Sequence, residues 1–195
     1  PVQSWMNSKY PKPTSIGMTD GCALIASNAL RALSKLAPHD GIASSGVTGN
    51  ILDIEFSGGK HFYDTLSGGV GASSSSDGLF GFSLWKRSRL QPSIEEQEKL
   101  FPLIVNSIEI RRGSGGNGEY VGGDGLVKNM TLLENATLRW SLEQSTHGPL
   151  GQKGGANGKG SELLINNTGK KEKLNFSGER AVSSGTNVST LSAGG

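Results

Sequence analysis

The chain has 195 residues, enough for a hydrophobic core, and we expect residues 1–195 to form a single domain. Its net charge is only +2 at pH 7, and no run of Lys or Arg exceeds a pair, which argues against a nucleic acid partner. One cysteine excludes an internal disulfide framework and suits a reducing, cytoplasmic compartment. No apolar stretch approaches the roughly 20 residues that span a membrane, so no membrane partner is expected.

A helix is predicted from about Thr19 to Leu36. Thr19 or Asp20 can cap its first turn, and Pro38 ends it. Apolar and small residues recur at helical spacing, which predicts one face that packs into the core of the protein. That face consists of Cys22, Ile25, Ala26, Ala29, Leu33 and Leu36, with Ala32 nearby.

Short strands dominate the rest of the chain. From Ile51 to Phe56 apolar and acidic residues alternate, and His61 to Leu66 follows a Gly-Gly turn, which predicts a hairpin. Further strands are predicted at Leu103–Ile110, Leu126–Leu133, Ala136–Leu142, Glu162–Ile165, Leu174–Phe176 and Val188–Leu191.

The remaining elements are a short helix and glycine-bearing loops. The helix lies near 93–100, with Ser93 as its cap, and Ser67 to Gly81 is predicted to be a flexible surface loop. The expected fold class is therefore α+β, mainly β with glycine-rich turns, one N-terminal helix at about 19–36 and the short helix near 93–100.

The densest glycine run lies between Arg112 and Leu126, with seven glycines from Gly113 to Gly125. Strand-like sequence on both sides predicts turns between sheet segments. At least one of four glycines is expected to need a positive φ; these are Gly115, Gly116, Gly122 and Gly123. A phosphate-binding loop is the alternative, but it requires a helix directly after the glycines and often a Gly-Lys-Ser/Thr motif, neither of which follows here.

Residues that carry chemistry are scattered along the chain. No two of the three histidines, His39, His61 and His147, have the spacing of zinc ligands. Cys22 lies among apolar helix neighbours, which favours a buried structural thiol over a nucleophile.

The acidic candidates also have simple structural interpretations. Glu95 and Glu98 share a helical face and could serve in acid–base chemistry, although a solvated face is the default. Near glycines, Asp64, Asp77 and Asp124 are expected to support turns. No catalytic, cofactor-binding or metal-binding set is therefore complete in this chain.

Several motifs, taken in order, resemble the C-terminal part of the hydantoinase B / oxoprolinase B family, which has relatives among ATP-dependent ketone carboxylases. The resemblance runs almost from end to end, and the order and spacing of the motifs carry it. They are Asn7-Ser8-Lys9-Tyr10-Pro11, Ser67-Gly68-Gly69-Val70-Gly71-Ala72 with Asp77-Gly78, Ile94-Glu95-Glu96-Gln97-Glu98 before Phe101-Pro102, Arg112-Gly113-Ser114-Gly115-Gly116-Asn117-Gly118, Gly122-Gly123-Asp124-Gly125-Leu126, and Gly148-Pro149-Leu150-Gly151.

The resemblance implies a cytoplasmic, multi-subunit enzyme in which ATP and Mg²⁺ are held by a hydantoinase A-like subunit. A hydantoinase B-like polypeptide then helps to cleave a cyclic amide or to carboxylate a ketone, and the sequence leaves both reactions open. The family's metal-binding Asp/His set lies in an N-terminal portion to which nothing here corresponds. A divalent metal is therefore expected on a separate N-terminal hydantoinase B-like subunit, and no cofactor is expected in this chain.

The chain departs from the family pattern at three places. Phe82-Ser83-Leu84-Trp85 replaces a usual histidine, Val121 replaces a common arginine, and the glycine-rich C-terminal signature is reduced within Thr186 to Gly195. These departures favour a non-autonomous subunit that supports the substrate side of a site completed by other chains. A purely structural subunit and a stand-alone β-rich module that binds a small ligand are the alternatives.

Overall fold

The computed structural model describes residues 21–37, 41–47, 50–82, 84, 91–142, 144–167 and 169–195. Over these residues the chain forms two helices, α1 Cys22–Leu36 and α2 Ile94–Leu100. The nine strands are β1 Asn50–Phe56, β2 His61–Leu66, β3 Leu103–Arg111, β4 Gly125–Leu132, β5 Ala136–Ser141, β6 Glu162–Asn167, β7 Lys170–Lys173, β8 Ser177–Val182 and β9 Asn187–Leu191. The predicted α+β, mainly β class is confirmed. No helix within the described ranges is both long and apolar enough to cross a membrane.

The strands form two antiparallel sheets. One has four strands in the order β2-β1-β5-β8, and the other has five in the order β3-β4-β9-β6-β7. The β1–β2 hairpin is confirmed, and Gly59 in its turn has a φ of +80°. The chain passes from one sheet to the other after β2, β4, β5, β7 and β8, so neither sheet is formed by one continuous segment.

The inner faces of the two sheets share one hydrophobic cluster. Alternation along β1 buries Leu52, Ile54 and Phe56, and the same period along β5 buries Leu138 and Trp140. The five-stranded sheet supplies Leu103, Val105, Met130, Leu132, Leu163, Ile165 and Val188. The period-2 patterns predicted from the sequence therefore mark the faces that are buried.

A buried charged network also joins the two sheets. Lys128 on β4 is fully buried, and its Nζ donates to Asp64 Oδ2 on β2 at 2.7 Å and to Gln97 Oε1 on α2 at 2.9 Å. The same ammonium lies 5.1 Å from the centre of the Phe62 ring. The prediction that Asp64 supports a turn is wrong, because this carboxylate lies inside the protein and neutralises a buried cation.

Helix α1 exists as predicted, but the predicted buried face is wrong. Only Ala23 and Ser34 are buried, whereas Ile25 is 48% exposed, Leu33 58% and Leu36 83%. Cys22 is also exposed, so it is not a buried structural thiol. Among the described residues the helix makes no extensive contact with either sheet; Ser34, on the side opposite the apolar face, lies against Gly41.

One strand prediction and one loop prediction also need correction. Leu174–Phe176 is not a strand; the chain there leaves the five-stranded sheet after Lys173 and enters the four-stranded sheet at Ser177. The loop from Ser67 to Gly81 is exposed only in its second half, because Gly68 to Gly71 are buried among other backbone segments. The predicted caps Thr19 and Asp20, the stop at Pro38 and the motif at 7–11 lie outside the described residues.

Candidate functional site

Glycine-bearing segments meet where the strands of both sheets end. We call residues 43–46, 67–72, 78–81, 113–125, 148–160 and 192–195 the glycine core. Its segments bond through their main chains: Gly123 N donates to Val70 O at 2.8 Å, and Gly195 N donates to Gly123 O at 2.8 Å. Gly116 N in turn donates to Gly195 O at 2.8 Å. The expected turns between β3 and β4 are therefore also the centre of a backbone network.

Most of these glycines are needed because another main-chain segment lies where a β-carbon would be, and not because the residue has a positive φ. None of Gly115, Gly116, Gly122 and Gly123 has a positive φ, so that prediction is wrong; within the run Gly113 has one, +68°. A β-carbon at Gly115 would overlap the carbonyl oxygen of Gly122. The run leads straight into β4, so no helix N-terminus faces a bound phosphate there.

Asp124 organises the centre of the glycine core. Its Oδ1 accepts hydrogen bonds from Ser114 N at 2.8 Å and Gly115 N at 2.9 Å, and Ser114 Oγ in turn accepts one from Gly125 N at 2.8 Å. Burial of the carboxyl acts to raise its pKa, but the amide donors of Gly115, Ser114 and Gly113 together outweigh that effect and lower the pKa below 3.8. The predicted turn-supporting role of Asp124 is confirmed.

A pH-dependent stability follows from Asp124. Because its folded-state pKa is lowered, its contribution is complete above the unfolded-state pKa and disappears as pH falls through the folded-state value. We expect Asp124→Asn to reduce the free energy of unfolding by about 2 kcal/mol at pH 7, as for a lost charge-assisted hydrogen bond. The loss should shrink below pH 3.8.

Urea unfolding of the wild type and of Asp124→Asn at several pH values measures the difference in their free energies of unfolding. Glu109→Gln is the matched control, because Glu109 is exposed on β3 outside the glycine core. An Asp124→Asn variant with the same pH profile as the wild type would contradict the assignment.

A cleft of about 160 Å³ opens at the surface of the glycine core. Three loops line it: residues 116–122 of the glycine run, residues 151–156, and the segment 72–74, with Gly41 and Gly195 at its margins. Gln152 Nε2 donates to Ile42 O at 2.9 Å, which ties the loop 151–156 to the margin at Gly41. Pockets that hold a drug-sized ligand usually measure roughly 300–1,000 Å³, so this cleft is small for a complete substrate site.

Four polar side chains reach the cleft, of which Tyr120 is half-buried and the other three are exposed. Asn117, Glu119, Tyr120 and Lys153 line it, and Lys153 is held at a φ of +49°, which is rare for a residue other than glycine. Such strain is often found at functional sites. The cleft therefore offers one carboxylate, one ammonium, a phenol and an amide on a rigid glycine framework.

The described residues do not form a metal centre. They contain no group of three or more His, Cys, Asp and Glu side chains that could hold an ion. His61 lies on the outer face of the four-stranded sheet, where its ring nitrogens are 3.6 Å from Asp53 and 3.7 Å from Glu55. His147 is exposed in a loop, and His39 is outside the described residues.

The other candidate residues have structural contacts. Glu98 Oε1 accepts a hydrogen bond from Val105 N at 2.9 Å, which covers an amide of the edge strand β3. Glu95 is exposed on α2, and a backbone hydrogen bond and Ser93 lower its pKa. Asp77 accepts a hydrogen bond from Val121 N at 2.7 Å, as expected of a residue that supports a loop.

Sequence reasoning missed several residues around the glycine core. Ser114 is fully buried although it stands in a run that reads as exposed turns. Arg111 donates through Nη1 to Gly160 O and Ser192 O, at 2.6 and 2.9 Å, and through Nη2 to Glu162 at 2.6 Å. The one signal in the sequence for this role of Arg111 is its position at the end of an apolar strand, directly before the glycine run.

Comparisons with known proteins agree with this architecture. The family model Hydantoinase B/oxoprolinase matches residues 1–195. A putative D-/L-hydantoinase B-type subunit from a Pseudomonas species is 28% identical over 171 residues, which cover 85% of this chain and 28% of that protein.

Two solved structures are similar in fold. The ATP-dependent caprolactamase of Pseudomonas jessenii has a TM-score of 0.71 at 19% identity, over 97% of this chain and 35% of its own. Acetone carboxylase, in a nucleotide-free structure, has a TM-score of 0.63 at 19% identity, over 87% of this chain and 28% of its own. The chain spans 9% of the slime mould (Dictyostelium discoideum) 5-oxoprolinase and 28% of the Pseudomonas hydantoinase relative. Because the family model covers the whole chain, the chain belongs to the Hydantoinase B/oxoprolinase family.

Proposed function

We propose that this member of the Hydantoinase B/oxoprolinase family is a non-autonomous part of an ATP-dependent enzyme complex. It supplies one wall of a substrate site that other polypeptides complete. The observation that carries the proposal is the cleft of about 160 Å³, which presents Glu119, Tyr120 and Lys153 on a rigid glycine framework. It is too small, and too poor in catalytic groups, to serve as a whole active site.

The expected partners follow from the family. A hydantoinase A-like subunit would bind ATP and Mg²⁺, and the remaining hydantoinase B-like polypeptide would carry a divalent metal. The residues described here do not fit a metal, and we assign no step through one. The related proteins include a caprolactamase and an acetone carboxylase, so the reaction class stays open between opening of a cyclic amide and carboxylation of a ketone.

Exposed apolar residues support the existence of a partner. The loop after Gly78 exposes Leu79 by 59% and Phe80 by 62%. Hydrogen bonds from Gly78 N to Val121 O and from Gly81 N to Asp124 O fix this loop to the glycine core. Large apolar side chains on a fixed loop are typical of protein interfaces.

We predict that the purified chain alone hydrolyses neither ATP nor cyclic amides such as hydantoin, 5-oxoproline and caprolactam, and does not carboxylate acetone. The physical reason is that the residues lining the cleft include no histidine or cysteine, and that the glycine run leads into a strand and not into a helix that could bind phosphate. The measurement is phosphate release and substrate loss, with and without added divalent metals. Turnover by the chain alone would contradict the proposal.

Variants of the cleft distinguish a substrate wall from a purely structural subunit. In the assembled complex, Glu119→Gln, Tyr120→Phe and Lys153→Met should each lower kcat/KM by roughly tenfold or more, which corresponds to about 1.4 kcal/mol or more. Lys170→Met is the control, because Lys170 is exposed on β7 and does not line the cleft. Unchanged kinetics in all three cleft variants would favour the structural alternative.

A further inference from the structure

Helix α1 presents its apolar face to solvent. Cys22, Ile25, Ala29, Leu33 and Leu36 follow one another at intervals of three or four residues, so they form one continuous stripe along the helix. Every one of them is exposed, and the three large members are 48%, 58% and 83% exposed. We call these five residues the α1 stripe.

Only a small part of α1 is fully buried by the residues that the structure describes. Its buried residues are Ala23 and Ser34, which are small, and the hydroxyl of Ser34 bonds only to Leu30 O within the same helix, at 2.8 Å. Helices of this length are marginal in water unless an amphipathic face is packed. Its first turn contains no acidic residue, and the first described residue, the N-cap Gly21, has no side chain to cap the helix. The helix therefore needs a second surface on the stripe.

We propose that the α1 stripe is the docking surface for the part of a hydantoinase B-type polypeptide that these 195 residues do not span. This inference rests on the proposed function and names the surface through which the missing part is joined. The chain covers 28% of the related Pseudomonas hydantoinase protein and 35% of the caprolactamase chain, so about two thirds of a family-length polypeptide lies outside it. A contact of this kind, apolar and with no charge on the stripe, is typical of obligate interfaces.

The position of α1 connects this interface to the candidate site. Gly41 lines the cleft and lies directly against Ser34, on the side of the helix opposite the stripe. A polypeptide seated on the stripe therefore lies across the helix from the cleft, about 10 Å away. Docking would order the helix against which Gly41, at the margin of the cleft, packs.

Hydrogen exchange measured by mass spectrometry tests the proposal. It compares the chain alone with the assembly purified from its own cells, in which the bound polypeptide is identified by mass spectrometry. We expect the α1 amides to exchange at close to the unstructured rate in the chain alone, and roughly 100-fold or more slowly in the assembly. The double variant Ile25→Glu/Leu33→Glu should lose at least roughly nine tenths of the co-purifying B-type polypeptide, whereas Asn28→Glu, exposed off the stripe, should retain it.

Four results would overturn the inference. Strong protection of α1 in a monomeric chain would mean that the chain's own residues cover the stripe, and protection in a self-associated chain would assign it to a second copy. An assembly in which α1 still exchanges rapidly would also refute it, and would leave the proposed function standing. Absence of any bound B-type polypeptide would contradict both the inference and the proposed function.

Discussion

Replacing Asp64 with alanine should destabilise the protein by about 3–5 kcal/mol, because it leaves a buried ammonium without its counter-ion. Lys128 Nζ is fully buried and 2.7 Å from Asp64 Oδ2. After the substitution the amide oxygen of Gln97 and the Phe62 ring would remain beside the charge, and neither carries a negative charge. Urea unfolding at neutral pH, followed by tryptophan fluorescence and circular dichroism, measures the change.

Two further variants separate the loss of the ion pair from the loss of a side chain. Asp64→Leu/Lys128→Met removes both charges while keeping similar volumes, and should recover most of the stability lost in Asp64→Ala. Asp53→Ala removes a carboxylate from a surface pair with Arg139, whose atoms are 3.5 Å apart, and should cost no more than about 1 kcal/mol. Equal losses in Asp64→Ala and Asp53→Ala would show that the buried network is not the cause.

Strands with periodic burial could be predicted from the sequence, whereas β7 and β8, which are almost wholly exposed, were not predicted. β1 and β5 each bury every second residue against the shared core, and that period is visible in the sequence as alternation of apolar and polar side chains. The hairpin turn and the helix cap at Ser93, which accepts a hydrogen bond from Glu96 N at 3.2 Å, are equally local. Such features need no knowledge of distant contacts.

Other features depend on contacts that the sequence does not reveal. The apolar pattern of α1 correctly predicts a helix, but a pattern cannot say whether the matching surface belongs to the same polypeptide. Lys128 occupies an inward position of β4, where a charged residue is expected only if a partner reaches it. That partner is 64 residues away in the sequence.

The glycine run was correctly predicted to form turns, but the expected reason, a positive φ at one of four named glycines, was wrong. The density of glycines was enough to predict turns between β3 and β4. It could not show that Gly115 and Gly123 lie against other main-chain segments, because those segments meet only in the fold. Asp124 could be assigned to turn support because aspartate beside glycine commonly accepts backbone amides. The cleft itself could not be predicted, since its three walls come together only through the fold.

Alanine at Gly115 or Gly123 should prevent folding or lower the free energy of unfolding by more than about 4 kcal/mol. A β-carbon at Gly115 would overlap Gly122 O, and one at Gly123 would overlap Leu79 O. Both obstacles are main-chain atoms within a hydrogen-bonded network, so they cannot rotate away as a side chain does. For a chain of this size the melting temperature should fall by at least roughly 8 °C.

Gly59→Ala is the matched control, because it places a β-carbon at a positive φ without any overlap with other atoms. Gly59 has a φ of +80° and no atom within 4 Å of an added β-carbon, so its substitution should cost only about 1–2 kcal/mol. A phosphate-binding run would behave differently: alanine at Gly115 or Gly123 would weaken nucleotide binding and leave the melting temperature unchanged. Melting temperature and nucleotide affinity, measured on the same three variants, distinguish the two roles of the run. Overlap with buried main chain must reduce stability whether or not any ligand is present.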